Sequence, residues 1–417
     1  MSSDDTEYAP RRWFHGLSFL SWLIYRFTWL AILPVLKGPI RLKGFNHRGL
    51  PQTGGMLLLS NHLTLLDPFM VGWLPFRPSR FMASSAPLRR PLLGRWLRAL
   101  GAFPKNKFVK DRSSMEELQR HFDDGQLITL FPEGTRSWDG RTLRMGEGIG
   151  RLIKRLDSPV LLSRMVSAHY FWPRWARYPR FVPVHIEYEG PLTWPENATA
   201  AEITADIQAR LTVEQRIPEG YSTAGFRMAH GLSNFLWACP SCFATSSLDV
   251  HRRDGNQVVC VRCWAQWKVE VDTTLRGHDD APSFTIREAH DRVAAHFGER
   301  PVADPEHYKS TGVVLHSPSG KMLRAKKSGS GFDLAASGRL RLTDQALEVF
   351  CDNGLVQLSL PFAEIRAVSV ELGNNVQLRA AGELYRMVPG TGSVLMWGHF
   401  VHTWRRSVQG LPFTPVG

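Results

Sequence analysis

The segment GGMLLLSNHLTLLDP, residues 54–68, predicts a buried strand, a loop and the start of a helix. Its four consecutive apolar residues, 56–59, follow a glycine pair, and such an unbroken run is typical of a strand buried on both faces. Pro68 can take the first position of a helix that Asp67 caps. His62 then lies in the loop between strand and helix, where functional groups are often found.

His62 and Asp67 form the first candidate pair for chemistry. Two residues five positions apart on a regular helix point about 140° away from each other, so a contact between imidazole and carboxylate requires a loop that folds back. The alternative is an aspartate that only caps the helix, beside an incidental histidine. The segment alone leaves both interpretations open.

The composition indicates a folded, basic protein of two to three domains. Its 417 residues include 21% charged and 43% hydrophobic ones, which excludes a disordered chain. The formal charge of +13 favours nucleic acid, an anionic lipid surface or a phosphorylated substrate. In residues 77–112 basic side chains alternate with bulky apolar ones, a pattern that suits a membrane surface or a lipid phosphate better than a DNA groove. A merely solvated basic face is the alternative.

A second block, FPEGTRS at residues 131–137, follows another short apolar strand. Together with NHLTLLDP at residues 61–68, in this order and spacing, it resembles the glycerolipid acyltransferase family, whose best-known members acylate lysophosphatidic acid. GAFPKNK at residues 101–107 is similar to the second block of that family, which usually ends in Arg where this chain has Lys107. A fourth block, a valine-proline strand in the family, is matched weakly by Ser158–Leu161.

The resemblance implies an α/β acyltransferase domain with a central mixed sheet. His62 would be the general base for the acceptor hydroxyl, since an imidazole titrates near neutrality. Asp67 would hold one ring nitrogen and so select the tautomer. The acceptor hydroxyl itself would attack the thioester, so no acyl-enzyme is required.

The same resemblance assigns acceptor binding to the second block. Gly134 lets the backbone approach a ligand, and Arg136 offers a planar fork for phosphate oxygens. Glu133 would fix Arg136 or accept a glycerol hydroxyl, Thr135 belongs to the same binding block, and Lys107 would assist as a point charge. The alternative is a plain Glu133–Arg136 ion pair in a loop.

The implied reaction is transfer of a fatty acyl chain from acyl-CoA or acyl carrier protein to a lyso-glycerophospholipid, foremost 1-acylglycerol-3-phosphate, giving phosphatidic acid. The expected partners are this acceptor, the acyl donor and a membrane surface, without nucleic acid. Two other classes stay open. One is a non-catalytic lipid-surface adaptor, and the other is a regulator that binds nucleic acid or protein.

Residues 17–36 form the most hydrophobic stretch and have about the length of a membrane span, ~20 residues. Arg26 near the centre would cost about 2.5–3.5 kcal/mol in the bilayer. We therefore expect a monotopic, interface-lying anchor on the cytoplasmic face, in preference to a single span. An ordinary buried helix is the third possibility.

Four of the five cysteines form two C-x-x-C units 17 residues apart, and no cleavable signal peptide is evident. This favours a reducing compartment and a metal site over disulfides. Two such knuckles complete a tetrahedral all-thiolate site, so the segment resembles a zinc ribbon with structural zinc. The predicted ligands are Cys239, Cys242, Cys260 and Cys263; an unmetallated tetrad or a redox pair is the alternative.

The sequence predicts four parts. The acyltransferase domain with its membrane-associating segment covers 11–220, the zinc ribbon 235–272, a helical linker 273–305 and a β-rich domain 306–417. The last part has alternating strands, a turn signal at Asp352–Gly354 and one C-terminal amphipathic helix. It resembles a pleckstrin-homology or GRAM-type domain; a non-binding β module is the alternative.

Overall fold

The computed structural model describes residues 23–24, 26–28, 30–31, 34, 37–38, 40–46, 50–51, 53–73, 79–88, 90–105, 112–326, 331–371 and 375–411. The chain divides into two compact units. The first comprises Met1–Arg174 and Phe181–Thr223, and the second comprises Trp175–Arg180 and Ala224–Gly417. The finer division into four parts stays a prediction.

The first unit is built on a seven-stranded sheet. Its strands follow the spatial order β1-β7-β6-β2-β5-β3-β4, and every neighbouring pair is parallel except β6 and β7. The predicted central mixed sheet is therefore confirmed. The strands are β1 Lys43–Phe45, β2 Met56–Ser60, β3 Ser79–Ser84, β4 Ala102–Lys105, β5 Leu127–Leu130, β6 Val160–Met165 and β7 His185–Leu192.

Helices cover this sheet, and the core lies between them and the strands. Gly150 lets two of them pack closely, because a Cβ there would lie 2.0 Å from the carbonyl oxygen of Ala200. The last helix of the unit starts with a capping box between Thr199 and Glu202. The helices are α1 Asp67–Trp73, α2 Ser85–Leu88, α3 Pro91–Ala99, α4 Arg112–Asp123, α5 Gly148–Leu156, α6 Ala168–Phe171 and α7 Ala200–Leu211.

The central strand β2 is buried at all five positions, as its apolar run predicts. It pairs in parallel with β5 on one side and with β6 on the other. The carboxyl ends of these three strands therefore lie at the same edge of the sheet, where open α/β sheets bind their ligands. The segments that follow them begin at Asn61, Phe131 and Val166 and form the candidate site.

Two predictions fall largely or wholly outside the described residues. These are the anchor at residues 17–36, most of which is not described, and Lys107. Across the described ranges, no helix has the length and apolar character that crossing a membrane requires.

The second unit begins with the paired-cysteine segment. Its four antiparallel strands lie in the order β11-β10-β9-β8. Two helices follow, the first of which lies within the range 273–305 of the predicted linker. The elements are β8 Leu248–Val250, β9 Gln257–Cys260, β10 Gln266–Val269, β11 Leu275–Gly277, α8 Ile286–Phe297 and α9 Pro305–Thr311.

The remainder of this unit is β-rich, as predicted. Two antiparallel sheets, ordered β12-β15-β16-β17 and β14-β13-β20-β19-β18, are followed by the helix α10, Val394–Val408. The likeness to a pleckstrin-homology or GRAM-type domain stays a prediction. The strands are β12 Val313–Ser317, β13 Gly320–Ala325, β14 Phe332–Ser337, β15 Arg339–Thr343, β16 Ala346–Phe350, β17 Val356–Pro361, β18 Ile365–Glu371, β19 Asn375–Ala380 and β20 Glu383–Pro389.

Candidate active site and cysteine cluster

The loop after β2 folds back so that His62 meets Asp67. The imidazole Nδ1 lies 2.8 Å from Oδ2 of the carboxylate, and Asp67 is fully buried. The same carboxylate accepts the backbone N–H groups of Leu63 at 2.6 Å and Thr64 at 2.9 Å. The Thr64 hydroxyl donates to its other oxygen at 2.6 Å. These donors hold the carboxylate in place toward the imidazole.

The predicted capping role of Asp67 is wrong in detail. The helix α1 begins at Asp67, one residue earlier than expected. The N–H groups of Phe69 and Met70 both donate to the carbonyl oxygen of Leu66. The Asp67 carboxylate turns back into the loop instead, because the donors at residues 62–64 satisfy it there.

Glu133 ties the His62 loop to the second block. Its Oε1 accepts the backbone N–H of His62 at 2.8 Å, and its Oε2 accepts the N–H of Leu143 at 2.8 Å. The N–H of Ser137 donates in turn to the carbonyl oxygen of His62 at 2.8 Å. The described residues show no ion pair between Glu133 and Arg136, so the plain ion pair weighed from the sequence is not what the structure contains.

A third connection fixes the loop from the other side. The side-chain amide of Asn61 donates to the carbonyl oxygen of Met165 at 3.0 Å and accepts its N–H at 2.8 Å. Met165 is the last residue of β6. The loop that carries His62 is therefore bonded to the segment after β5 and to the last residue of β6.

The imidazole of His62 lies in a mainly apolar and cationic setting. Its ring stacks on Phe131 at 4.2 Å between centroids, and the side chain is 20% exposed. Burial lowers the pKa of His62, and the guanidinium groups of Arg136 and Arg174 lower it further, against the opposing effect of Asp67. The neutral imidazole that a general base requires is thus favoured around neutral pH.

Burial raises the pKa of Glu133 to about 8, with a contribution from the charge of Asp67, while the two N–H donors oppose the rise. Its contacts join two backbone segments, so its position organises the loops around His62. A direct contact with the acceptor, as expected from the resemblance, stays a prediction.

Gly134 is required by its backbone conformation, whereas Arg136 contributes its charge. Gly134 has φ of +71°, and an added Cβ would meet no atom within 4 Å, so the backbone conformation requires the glycine there. Burial lowers the pKa of Arg136, opposed by Asp67. Among the described residues its guanidinium makes no hydrogen bond or ion pair, and it acts electrostatically on His62. Anion binding by Gly134 and Arg136 stays a prediction.

Arg174 is a residue of this site that the sequence did not reveal. It follows β6 and α6, and its Nη1 donates to Oγ1 of Thr135 at 3.0 Å and to the carbonyl oxygen of Arg136 at 2.5 Å. Its guanidinium lies 4.2 Å from the ring centroid of Trp138. No local motif marks Arg174, because only the parallel pairing of β2 with β6 brings its segment to this edge.

The four predicted cysteine ligands come together in the second unit. All four sulfur atoms lie within 4.8 Å of one another. Two pairs across the knuckles are closer: the Sγ atoms of Cys239 and Cys263 are 3.8 Å apart, and those of Cys242 and Cys260 are 3.7 Å apart. Four thiolates at ~2.3 Å from a tetrahedral metal lie about 3.8 Å from one another, so the cluster has the size to hold one metal ion.

The two knuckles have the same backbone design. The residue after each second cysteine, Phe243 or Trp264, has a left-handed φ, of 61° and 64°. Its N–H donates to the carbonyl oxygen of the first cysteine of its own knuckle, at 2.9 Å in both. This repetition aims all four thiols at one point.

Residues 43–164 match the family model described as "Acyltransferase". This segment contains β1 to β5, the His62 loop and the second block, so the resemblance to the acyltransferase family is confirmed for this part of the chain.

Among curated proteins, the 1-acyl-sn-glycerol-3-phosphate acyltransferase of Limnanthes douglasii is 28% identical over 158 residues, 37% of this chain and 54% of that protein. The Bacillus subtilis (strain 168) enzyme of the same name is 26% identical over 125 residues, 30% of this chain and 62% of that protein. The chain thus spans little more than half the length of these relatives. Among solved structures, the 1-acyl-sn-glycerophosphate acyltransferase PlsC of Thermotoga maritima covers 46% of this chain and 76% of its own, at 20% identity and a TM-score of 0.38.

Proposed function

We propose that the protein transfers a fatty acyl chain from a thioester to the hydroxyl of a lyso-glycerophospholipid, with 1-acylglycerol-3-phosphate as the acceptor and phosphatidic acid as the product. One observation carries this proposal: an Asp67-bound imidazole lies beside the Arg136 guanidinium at the carboxyl edge of an acyltransferase-family sheet. The curated relatives named for this reaction support the choice of acceptor.

The chemistry follows from the tautomer of His62. Because Nδ1 donates to the Asp67 carboxylate, Nε2 carries the lone pair and accepts the proton of the acceptor hydroxyl. The hydroxyl oxygen attacks the thioester carbonyl carbon, and the C–S bond breaks as the new C–O ester bond forms. The departing thiolate takes the proton from the imidazolium, which restores the neutral base. The donor is acyl-CoA or acyl-acyl carrier protein.

Arg136 supplies the recognition of the acceptor. A guanidinium presents parallel N–H donors to two phosphate oxygens, and its partial burial strengthens that interaction relative to water. Lys107 is proposed as an additional positive charge for the same phosphate. Gly134 and Thr135 place the loop that carries Arg136.

A lipid acceptor requires that the protein work at a membrane surface. The helix α3 supports this, because Leu92, Leu93 and Trp96 are exposed beside the exposed arginines Arg95 and Arg98. Bulky apolar groups with basic neighbours suit an anionic lipid interface. We propose that α3 rests on the cytoplasmic face of the membrane, together with the segment at residues 17–36.

We further propose that the cysteine cluster holds one structural zinc ion. The donor set of four thiolates in two equivalent knuckles fits zinc, and four protein ligands close the coordination sphere. The metal would hold the two knuckles together, and each of the four cysteine sulfurs of the cluster would be bound to it.

An acyl-transfer assay with the purified full chain tests the main proposal. Radiolabelled acyl-CoA and acyl-acyl carrier protein are offered in turn with lysophosphatidic acid in vesicles. Formation of labelled phosphatidic acid by the wild type supports the proposal. Binding of the protein to the vesicles without product, from either donor, would favour the non-catalytic adaptor.

A further inference from the structure

The Arg174 side chain holds the acceptor-binding block through one backbone carbonyl and one side-chain hydroxyl of that block. One nitrogen, Nη1, donates to both the Thr135 hydroxyl and the Arg136 carbonyl oxygen, so it bridges two consecutive residues of the loop. The guanidinium carbon lies over the Trp138 ring in the same loop, 4.2 Å from the ring centroid. Moving Arg174 would release the loop that carries the Arg136 guanidinium.

Arg174 is the last residue of its stretch in the first unit, and the adjoining segment Trp175–Arg180 belongs to the second unit.

We propose that Arg174 is a positioning residue for the acceptor-binding loop, which it holds through the Thr135 hydroxyl and the Arg136 carbonyl oxygen. The proposal rests on the proposed function, which identifies this loop as the one that binds the acceptor.

The first test replaces Arg174 and measures both activity and loop protection. In Arg174→Ala we expect KM for lysophosphatidic acid to rise on the order of tenfold or more, from the loss of hydrogen bonds to a charged group, with a smaller change in kcat. Arg174→Lys restores part of this loss because an ammonium can still donate to both oxygens. Arg177→Met is the matched control, since Arg177 is an exposed arginine of the adjoining segment.

Hydrogen exchange supplies a readout that does not depend on turnover. We expect faster exchange of the amides at residues 133–137 in Arg174→Ala and wild-type rates in Arg177→Met. Unchanged exchange in Arg174→Ala would overturn the positioning role, whatever the enzyme does. A wild type that acylates no lyso-lipid, but whose loop loses protection in this variant, would instead count against the proposed function alone.

The pH profile adds a signature specific to the site. The charged and titratable groups that act on His62 are Asp67, Arg136 and Arg174, with Glu133 bonded to its backbone. Removal of one guanidinium raises the pKa of His62, so the acid limb of kcat/KM moves to higher pH in Arg174→Ala and stays in place in Arg174→Lys. An unmoved limb in Arg174→Ala would contradict the placement of this charge.

Discussion

The Nδ1 atom of His62 lies 2.8 Å from Oδ2 of Asp67, and that same oxygen accepts the backbone N–H of Leu63. This single carboxylate thus orients both the imidazole and the loop that carries it. Because Nδ1 is the donor in this pair, Nε2 is left as the proton acceptor. The proposed base depends on this arrangement more than on any other contact in the site.

Replacing Asp67 by Asn should lower kcat by on the order of 100- to 10,000-fold, the range seen when general-base and tautomer control are lost. The amide group of the new side chain would direct an N–H donor at the imidazole or at the backbone N–H groups, which are themselves donors, so at least one of these hydrogen bonds would be lost. Steady-state kinetics with lysophosphatidic acid checks this, alongside Glu147→Gln, a substitution of an exposed acid. A kcat within threefold of the wild type corresponds to a change of about 0.6 kcal/mol in the activation free energy, and it would show that the carboxylate is dispensable.

Arg136→Met should raise KM for lysophosphatidic acid by about 10- to 100-fold, since hydrogen bonds to charged groups contribute ~1.5–3 kcal/mol. With a monoacylglycerol, which lacks the phosphate, the same variant should behave like the wild type. The exposed Arg144 provides the control Arg144→Met. Equal losses on both acceptors would mean that Arg136 does not read the phosphate.

Stability should depend on Glu133 in a defined direction of pH. Its pKa rises from 4.5 in the unfolded chain to about 8 in the folded one, so between these values the folded state keeps a proton that the unfolded state has lost. The wild type should therefore lose about 2 kcal/mol of unfolding free energy relative to Glu133→Gln between pH 5 and pH 8.5, after allowance for solvent screening. Denaturant unfolding at both pH values measures this difference, and a difference that does not change with pH contradicts it.

Elemental analysis of the purified chain should find about one zinc per molecule, since four thiolates close one tetrahedral site. Cys242→Ser should reduce the zinc content to near zero and lower the melting temperature of the second unit. The variant Cys351→Ser, which replaces a free cysteine outside the cluster, should retain the metal. A folded wild type that carries no zinc when purified without chelator would refute the assignment.

Much of the fold of the first unit can be predicted from the sequence, because its buried strands are short runs of apolar residues. The run at 56–59 predicted β2, and parallel pairing to β5 follows from alternating strands and helices. The motif at 131–137 then had to lie at the same edge as His62. The requirement of a folded-back loop between His62 and Asp67 was also readable, because helical geometry forbids the contact otherwise.

The remaining features depend on tertiary competition that local patterns do not encode. Asp67 satisfies loop donors instead of capping α1, because Thr64 presents both an N–H and a hydroxyl to it. Glu133 binds the backbone of Leu143, ten residues ahead, and so does not pair with Arg136. Arg174 lies 38 residues beyond Arg136 and reaches it only through the fold.

Acyl transfer from a radiolabelled thioester to lysophosphatidic acid by the wild type and by His62→Ala, side by side, tests the central claim most directly. We expect labelled phosphatidic acid from the wild type and a loss on the order of 100-fold or more in kcat for the variant, with unchanged folding. Equal transfer by both proteins would contradict the role of His62 as the general base.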